Sequence, residues 1–300
     1  MDHPVAVGSV SRRHLLNGHG QAMAPGDRVP EDRWDDIVSD ATTPTGSAPA
    51  RSLAGAQDAY FGARATLWTD RYRSSPSFRA RLSVVGRAID DVLRDRPQAR
   101  VLDFGGGTGV FSAVASRSAS FTVCVDRSQP MLIEGMADPA SMVALLQAEG
   151  FDGSRGIIVR IAGDDRCVAS LGASFDLILA IAVVEYVDNA MTLLTRLAQR
   201  LGQGGTLLIT VPNRTLPLRI AQRIARPPFA RSQTSTGGLA DQSFLELRPH
   251  GDDVPWHRAT AAVGLVVKQQ RAVPLGLSGA RRWFHPTLLI SLRRAEDYRG

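Results

Sequence analysis

The sequence predicts an α/β fold in which a doubly wound, mostly parallel sheet is covered by helices on both faces. From about residue 100 onward, short apolar segments alternate with stretches of helical periodicity. Segments that are apolar on both faces are typical of strands buried in a parallel sheet. A glycine-rich loop follows the first of these segments, and acidic residues lie near the ends of the first three. Ligand sites of this fold class form at the carboxyl ends of the strands.

The strands are expected at short apolar segments separated by helices. Two helices are predicted ahead of them: four side chains between Phe61 and Tyr72, at steps of four, three and four, form one helical stripe, and residues 75–92 form a second helix opened by a Ser-Pro pair. The predicted strands are residues 101–104, 121–125, 157–161, 175–181 and 206–211, followed by 265–271 and 287–292.

The chain divides into three regions by composition. Residues 1–50 are rich in Gly, Pro, Ser, Asp and Ala without sustained periodicity, which predicts a flexible tail. Residues 51–97 are expected to form a helical cap, and residues 98–300 the α/β domain. Within that domain, residues 213–257 interrupt the strand–helix alternation and are expected to form an insertion that acts as a substrate lid.

Composition excludes several classes of protein. The 300 residues are 44% hydrophobic and 21% charged, which is ordinary for a globular chain. Two cysteines are too few for a disulfide framework or a cysteine zinc site, so no metal is expected and a cytoplasmic location is predicted. No apolar run approaches the roughly 20 residues that span a bilayer. The net charge of +6 comes almost entirely from dispersed arginines, so no nucleic-acid face is expected.

The glycine-rich loop carries the strongest chemical signal. Residues 101–109 read VLDFGGGTG, with glycines at 105, 107 and 109. The dinucleotide-binding fingerprint would require a further glycine at position 110, which is Val110. Asp103 lies two positions before Gly105, where a carboxylate would repel a pyrophosphate and favour a ligand that carries positive charge. The loop therefore favours a cationic nucleoside over NAD.

Two further acidic positions extend this interpretation. Asp126 follows the second strand, where a carboxylate can accept hydrogen bonds from both hydroxyls of a ribose. Asp164 and Asp165 follow the third strand and are placed to accept from an adenine amino group.

Together these segments resemble the class I S-adenosylmethionine-dependent methyltransferases of small molecules. The resemblance runs from about residue 53 to 292 and rests on VLDFGGGTG, VDRSQPML, GDD, FDLILAIAVVEYV and LGQGGTLLITVPN, in that order. It implies a Rossmann-like, seven-stranded sheet whose last strand is antiparallel, with S-adenosyl-L-methionine as the cofactor. The residues that it implies for the cofactor site are Asp103, Gly105 and Gly107 at the methionyl end, Asp126 at the ribose, Asp164 and Asp165 at the adenine, and Ala180 and Ile181 around the sulfonium.

The expected reaction is methyl transfer by in-line displacement to a small-molecule metabolite, with oxygen as the acceptor atom. An oxygen nucleophile usually needs a base within hydrogen-bond reach, and the candidates are His250, then His257, then Tyr186. The family often has Glu-His where this chain has Glu185 and Tyr186. Two alternatives stay open: an RNA- or protein-directed methyltransferase, and a non-catalytic member that binds the cofactor. The basic amphipathic stretch 216–226 is assigned to the lid, with peripheral membrane contact as the alternative.

Overall fold

The computed structural model describes residues 53–152, 156–213, 256–274 and 287–297. The described residues form a seven-stranded sheet flanked by helices, which confirms the predicted fold class. The strands are β1 (Arg100–Phe104), β2 (Phe121–Asp126), β3 (Ile157–Ala162), β4 (Phe175–Ala180), β5 (Leu201–Pro212), β6 (Leu265–Val273) and β7 (Thr287–Arg294). Their order is β3-β2-β1-β4-β5-β7-β6. All neighbours pair in parallel except β7, which is antiparallel to both β5 and β6.

The helices lie before the sheet and in the connections between its strands. Before the sheet are α1 (Leu53–Gly62), α2 (Ala65–Ser74) and α3 (Pro76–Leu93). The connections carry α4 (Val110–Ser116), α5 (Gln129–Ala137), α6 (Pro139–Ala148), α7 (Asp165–Ser170), α8 (Ala190–Arg200) and α9 (Trp256–Ala262). The long stretch between Asp126 and Ile157 is explained by α5 and α6, which both fall within it.

A separate apolar cluster fills each face of the sheet. On one face, Leu193, Leu194 and Leu197 of α8 pack with Ile178 of β4. On the other face, side chains of α3, α4 and α6 pack with Leu177 of β4. Because alternate β4 residues are buried in opposite clusters, this strand lies at the centre of a three-layer structure. Burial on both faces accounts for the unbroken apolar segments of the sequence.

Two elements differ from the sequence expectation by more than two residues. The helix predicted across residues 61–72 is two helices, because the chain turns after Gly62 and restarts at Ala65. This break lets α1 approach α5: a Cβ at Gly62 would lie 3.4 Å from Pro130 Cγ. Strand β5 begins at Leu201, earlier than expected, since Leu201 already pairs with Phe175 of β4.

Several expectations concern residues outside the described ranges. The predicted tail 1–50 lies outside them, as do residues 214–255, which contain most of the predicted lid and the stretch 216–226. Among the described helices, none has the length and apolar character needed to cross a membrane. Within the same ranges, no group of three or more His, Cys, Asp and Glu side chains is placed to hold a metal ion.

Candidate functional site

A cavity of about 150 Å³ opens at the carboxyl ends of β1, β2 and β4. Its floor is the loop after β1 together with the ends of β1 and β2, and its roof is formed by side chains of α1, α2 and α3. The residues discussed below that line it are Gln57, Asp58, Phe61, Trp68, Tyr72, Arg81, Asp103, Gly105, Gly107, Asp126, Arg127, Ser128, Met131, Gly163, Ile181, Ala182, Val183 and Tyr186. The cavity therefore lies where the fold class places its ligands.

The glycine loop adopts a conformation that its glycines permit. Gly105 has φ +69°, and its N–H donates to the carbonyl of Val125 at 2.7 Å. A Cβ at Gly105 would lie 2.2 Å from Cγ2 of Val183, so the glycine also allows the loops after β1 and β4 to approach each other. This approach closes one wall of the cavity.

Asp103 places a buried carboxylate against the cavity. Its side chain is 1% exposed, and its Oδ2 accepts a hydrogen bond of 2.6 Å from Ser112 Oγ of α4. Burial raises the pKa of Asp103 to about 6, because desolvation penalises the charged form, while the Ser112 hydrogen bond acts in the opposite direction. A cationic ligand group at this position would stabilise the ionised form.

Asp126 is fixed by backbone donors on both of its oxygens. Oδ2 accepts from the N–H of Gly107 at 2.8 Å, and Oδ1 accepts from the N–H of Ser128 at 2.8 Å. Burial raises the pKa of Asp126, and these two hydrogen bonds oppose that effect. Because a carboxylate offers about four acceptor positions, each oxygen retains capacity for a ligand hydroxyl.

The structure does not bring all of the expected cofactor residues to the cavity. Asp164 and Asp165 do not line it: Asp164 Oδ1 caps α7 by accepting from the N–H of Arg166 at 2.9 Å, and Asp165 forms an ion pair with Arg196. Ala180 is fully buried in the apolar core rather than in the cavity wall. Gly163 and Ile181, their immediate neighbours, do line the cavity.

Arg81 and Tyr72 are cavity residues that sequence reasoning missed. Burial raises the pKa of Tyr72, and the charge and side-chain hydrogen bond of Arg81, which lies beside the Tyr72 hydroxyl, partly offset this effect. Arg81 Nε is buried and has no hydrogen-bond partner within the described part of the chain. Among the described residues, two arginines line the cavity, Arg81 and Arg127, and Arg127 forms an ion pair with Asp58 at 3.0 Å. A helical stripe marks Tyr72 as buried, but nothing local identifies Arg81.

An aromatic wall, formed by Phe61, Trp68 and Tyr186, bounds the cavity on the side of α1 and α2. The Phe61 ring contacts Trp68 and Tyr186 edge to face, with centroids 5.6 and 5.5 Å apart. Gln57 Nε2 donates to the carbonyl of Tyr186 at 2.9 Å, which ties α1 to the segment after β4. The wall can therefore accommodate a largely apolar or ring-shaped ligand.

The loop after β4 contains a strained residue that the sequence did not single out. Ala182 lines the cavity with φ +57°, a value that non-glycine residues rarely adopt. Its N–H donates to Thr210 Oγ1 of β5 at 2.7 Å, which stabilises the strained backbone. Strain of this kind concentrates at functional sites because the surrounding structure must hold it in place.

The three candidate bases lie in different places. Tyr186 lines the cavity. His257 is exposed on α9, stacked on Trp256, and is not among the cavity-lining residues. Partial burial lowers the pKa of His257. His250 lies outside the described residues.

Comparison with known families and sequences gives a consistent result. The family described as "Methyltransferase domain" matches residues 71–251. A trans-aconitate 2-methyltransferase from Deinococcus radiodurans is 29% identical over 137 residues, covering 45% of this chain and 46% of that protein. A ubiquinone biosynthesis O-methyltransferase from Parvibaculum lavamentivorans is 30% identical over 174 residues, covering 53% of this chain and 62% of that protein. The chain thus spans about half the length of the curated relatives it matches.

Among solved structures, the fold is similar to that of the N-methyltransferase NodS from Bradyrhizobium japonicum WM9 in complex with S-adenosyl-L-homocysteine. The TM-score is 0.50 at 13% sequence identity, and the match covers 81% of this chain and 99% of that one. At this identity the likeness concerns the fold alone.

Proposed function

The chain belongs to the methyltransferase-domain family, and we propose that it transfers a methyl group from S-adenosylmethionine to an oxygen atom of a small-molecule acceptor. One observation carries this proposal: a single cavity combines two fixed carboxylates, Asp103 and Asp126, with a cation, Arg81, and an aromatic wall. The donor set matches a zwitterionic sulfonium nucleoside at one end. The opposite side is suited to an apolar or ring-shaped acceptor.

The residues at the β1 end of the cavity fit the amino-acid end of the cofactor. That end carries an ammonium and a carboxylate, which are complementary to Asp103 and Arg81 respectively. Arg81 Nε is buried and has no hydrogen-bond partner among the residues that the structure describes, and burial disfavours the ionised form of Asp103. An ammonium at Asp103 and a carboxylate at Arg81 would satisfy both groups at once. We therefore assign these two side chains to the amino-acid end.

The residues at the β2 end fit the nucleoside. Asp126 retains acceptor capacity for the ribose hydroxyls, and Ser128 Oγ beside it is buried without a partner among the described residues. Because Asp164 and Asp165 are engaged elsewhere, we assign the adenine ring to the wall around Gly163 and Met131, both of which line the cavity. In this assignment the surface around Gly163 and Met131, rather than Asp164 and Asp165, contacts the adenine.

When bound, the cofactor supplies a methyl group activated by its sulfonium. The chain's contribution is to align the acceptor and to exclude water, which can lower the barrier of a displacement substantially. The roof is tied to its surroundings by contacts that include Gln57 to the Tyr186 carbonyl, after β4, and Asp58 to Arg127, after β2. The Tyr186 side chain lies in the wall on the acceptor side, so it is our candidate for accepting the proton of the oxygen nucleophile.

Calorimetric titration tests the cofactor assignment. We expect S-adenosylmethionine and S-adenosylhomocysteine to bind and NADH not to bind. The control ligand 5′-methylthioadenosine lacks the amino-acid end, so it should bind at least roughly tenfold more weakly, because it offers Asp103 and Arg81 no group of opposite charge. Binding would justify a screen of small-molecule acceptors by methyl release. The proposal would be contradicted if NADH bound, or if both S-adenosylmethionine and S-adenosylhomocysteine failed to bind.

A Tyr186→Phe variant tests the base assignment. We expect kcat with an acceptor from that screen to fall by about 100-fold, the scale of a lost general base, while the affinity for S-adenosylhomocysteine stays unchanged. His257→Ala is the matched control, because His257 is exposed outside the cavity, and it should retain wild-type kcat. An unchanged kcat in Tyr186→Phe would remove Tyr186 from the mechanism.

A further inference from the structure

Three side chains form a row across the sheet beneath the glycine loop. Asp103 of β1 pairs in register with Cys124 of β2, and Cys124 pairs with Arg160 of β3. In a parallel sheet, residues that pair in register point to the same face. Asp103 accepts a hydrogen bond from Ser112, and Cys124 Sγ lies 3.9 Å from Arg160 Nη1. The row thus has a carboxylate at one end, a guanidinium at the other and a thiol between them.

Arg160 also joins the glycine loop to α5. Its Nη1 donates to the carbonyl of Thr108 at 3.3 Å, and its Nη2 donates to the carbonyl of Gly135 at 3.1 Å. A Cβ at Gly109 would lie 2.4 Å from Arg160 Nη1, so the glycine leaves the space that the guanidinium needs. A Cβ at Gly135 would lie 2.1 Å from the Thr108 carbonyl oxygen. The loop, α5 and the guanidinium therefore pack as one unit.

The charge of Arg160 is not neutralised by an ion pair within the described ranges. No carboxylate in the described ranges pairs with it, and its nearest contacts are two carbonyls and a thiol. Burial raises the pKa of the Cys124 thiol to about 12, so this group remains neutral and adds no charge to the row. Asp103 is thus the acidic end of a row whose positive charge comes from Arg160.

Other groups also face Asp103, and they must be separated from Arg160 in any test. Ser112 of α4 donates to it, Asp126 of β2 disfavours its ionised form, and Arg160 favours it. Tyr72 of α2 interacts with both Asp103 and Arg81 of α3. Arg160 is attached to the loop and to the row at once, which none of these other groups is.

We propose that Arg160 is a positioning residue of the cofactor site. It holds the Thr108 carbonyl, and through it the loop, and it provides a positive charge that favours the ionised form of Asp103, to which the cofactor's ammonium group binds. The inference rests on the proposed role of Asp103 in binding that group. Cys124 acts as the neutral spacer of the row.

The test compares Arg160→Met with Arg160→Lys, and uses Arg87→Met, exposed on α3, as the matched control. In the protein without cofactor, the free energy of unfolding is measured from about pH 5 to about pH 8 for each variant with and without Asp103→Asn. The pH dependence of the difference within each pair reports the ionisation of Asp103, together with its coupling to Asp126. Arg160 and Asp103 lie two strands, or about 10 Å, apart. Loss of the charge should therefore raise the midpoint of the Asp103 titration in the folded protein, which is read from the pH at which this difference levels off, by about one pH unit.

The two Arg160 variants separate the effect of the Arg160 charge on Asp103 from the structural role of its contacts with the loop and α5. We expect Arg160→Lys to keep a midpoint near that of the wild type, and Arg87→Met to leave it unchanged. With the shifted midpoint, S-adenosylhomocysteine should bind Arg160→Met roughly fivefold more weakly than wild type at about pH 6, and nearly as tightly at about pH 8. A destabilised Arg160→Met with an unshifted midpoint would reduce Arg160 to a structural brace and overturn the proposal.

The same measurements distinguish this inference from the proposed function. If the midpoint shifts but the protein does not bind S-adenosylhomocysteine, Arg160 and Asp103 are coupled as inferred. The proposed cofactor role is then refuted. Binding of S-adenosylhomocysteine with equal pH dependence in wild type and Arg160→Met would retain the function and refute the inference.

Discussion

The floor and the aromatic wall of the cavity are built in different ways. On the floor, each carboxylate is held by hydrogen bonds: Asp103 by Ser112, and Asp126 by the N–H groups of Gly107 and Ser128. On the wall, the Phe61 and Tyr186 rings are held by an edge-to-face contact, and one hydrogen bond, from Gln57 to the Tyr186 carbonyl, joins α1 to the segment after β4. The floor fixes charge and direction, whereas the wall fixes shape.

This difference follows from the elements that supply each surface. The floor comes from the ends of adjacent parallel strands, whose spacing is set by the backbone of the sheet. The wall comes from α1 and α2, which precede the sheet and rest on it through side chains, and from Tyr186 in the segment after β4. Hydrogen-bonded strand ends suit a ligand that never changes, as a cofactor does. A surface that depends on side-chain packing can be adapted to a particular acceptor without disturbing the floor.

The largest expected effect on cofactor affinity comes from Asp103→Asn. The variant removes the negative charge opposite the cofactor's ammonium, so S-adenosylhomocysteine should bind about 100-fold more weakly at neutral pH. Titration calorimetry measures this loss. The ligand 5′-methylthioadenosine, which lacks the ammonium, should bind wild type and variant equally and serves as the control for a folded site. An equal loss for both ligands would mean that Asp103 supports the loop rather than the ligand.

The same substitution also changes how stability depends on pH. The pKa of Asp103 in the folded protein, about 6, lies above its unfolded value, so the folded state binds more protons between about pH 4 and about pH 6. Across that window the contribution of Asp103 to the free energy of unfolding falls as pH rises. Asp103→Asn should remove this pH-dependent contribution. The free energy of unfolding of the variant relative to wild type should therefore increase with pH and level off above about pH 7. Urea unfolding at several pH values checks the slope.

A smaller loss, about 30-fold, is expected for Asp126→Ala, because a buried ribose would lose its acceptor. Both S-adenosylhomocysteine and 5′-methylthioadenosine should be affected, since both carry the ribose. Asp164→Ala is the matched control: it removes a carboxylate that caps α7 outside the cavity, so cofactor affinity should stay within about twofold. Equal losses in the two variants would return Asp164 to the cofactor site.

The sequence predicted the floor better than the wall for a physical reason. Asp103 and Asp126 lie at the carboxyl ends of β1 and β2, so a local pattern is enough to place their carboxylates at the sheet edge. Asp164 has the same pattern, but a carboxylate after a strand can instead cap the helix that follows, and here it does. Arg81 shows no signal, because its role depends on how α3 packs against α2 and α4. Such placement comes from packing between distant segments.

The smallest expected effect on cofactor affinity comes from Phe61→Leu in the wall. Leucine keeps the apolar surface but removes the ring that contacts both Trp68 and Tyr186. We expect S-adenosylhomocysteine to bind within about twofold of wild type, while KM for an acceptor found by methyl release rises about fivefold, the scale of a lost aromatic contact. Leu67→Ala, at an exposed position on α2, is the control and should change neither quantity. If Phe61→Leu weakened the cofactor as much as Asp126→Ala does, the cavity would not divide into a cofactor floor and an acceptor wall, and the roof would have to be counted as part of the cofactor site.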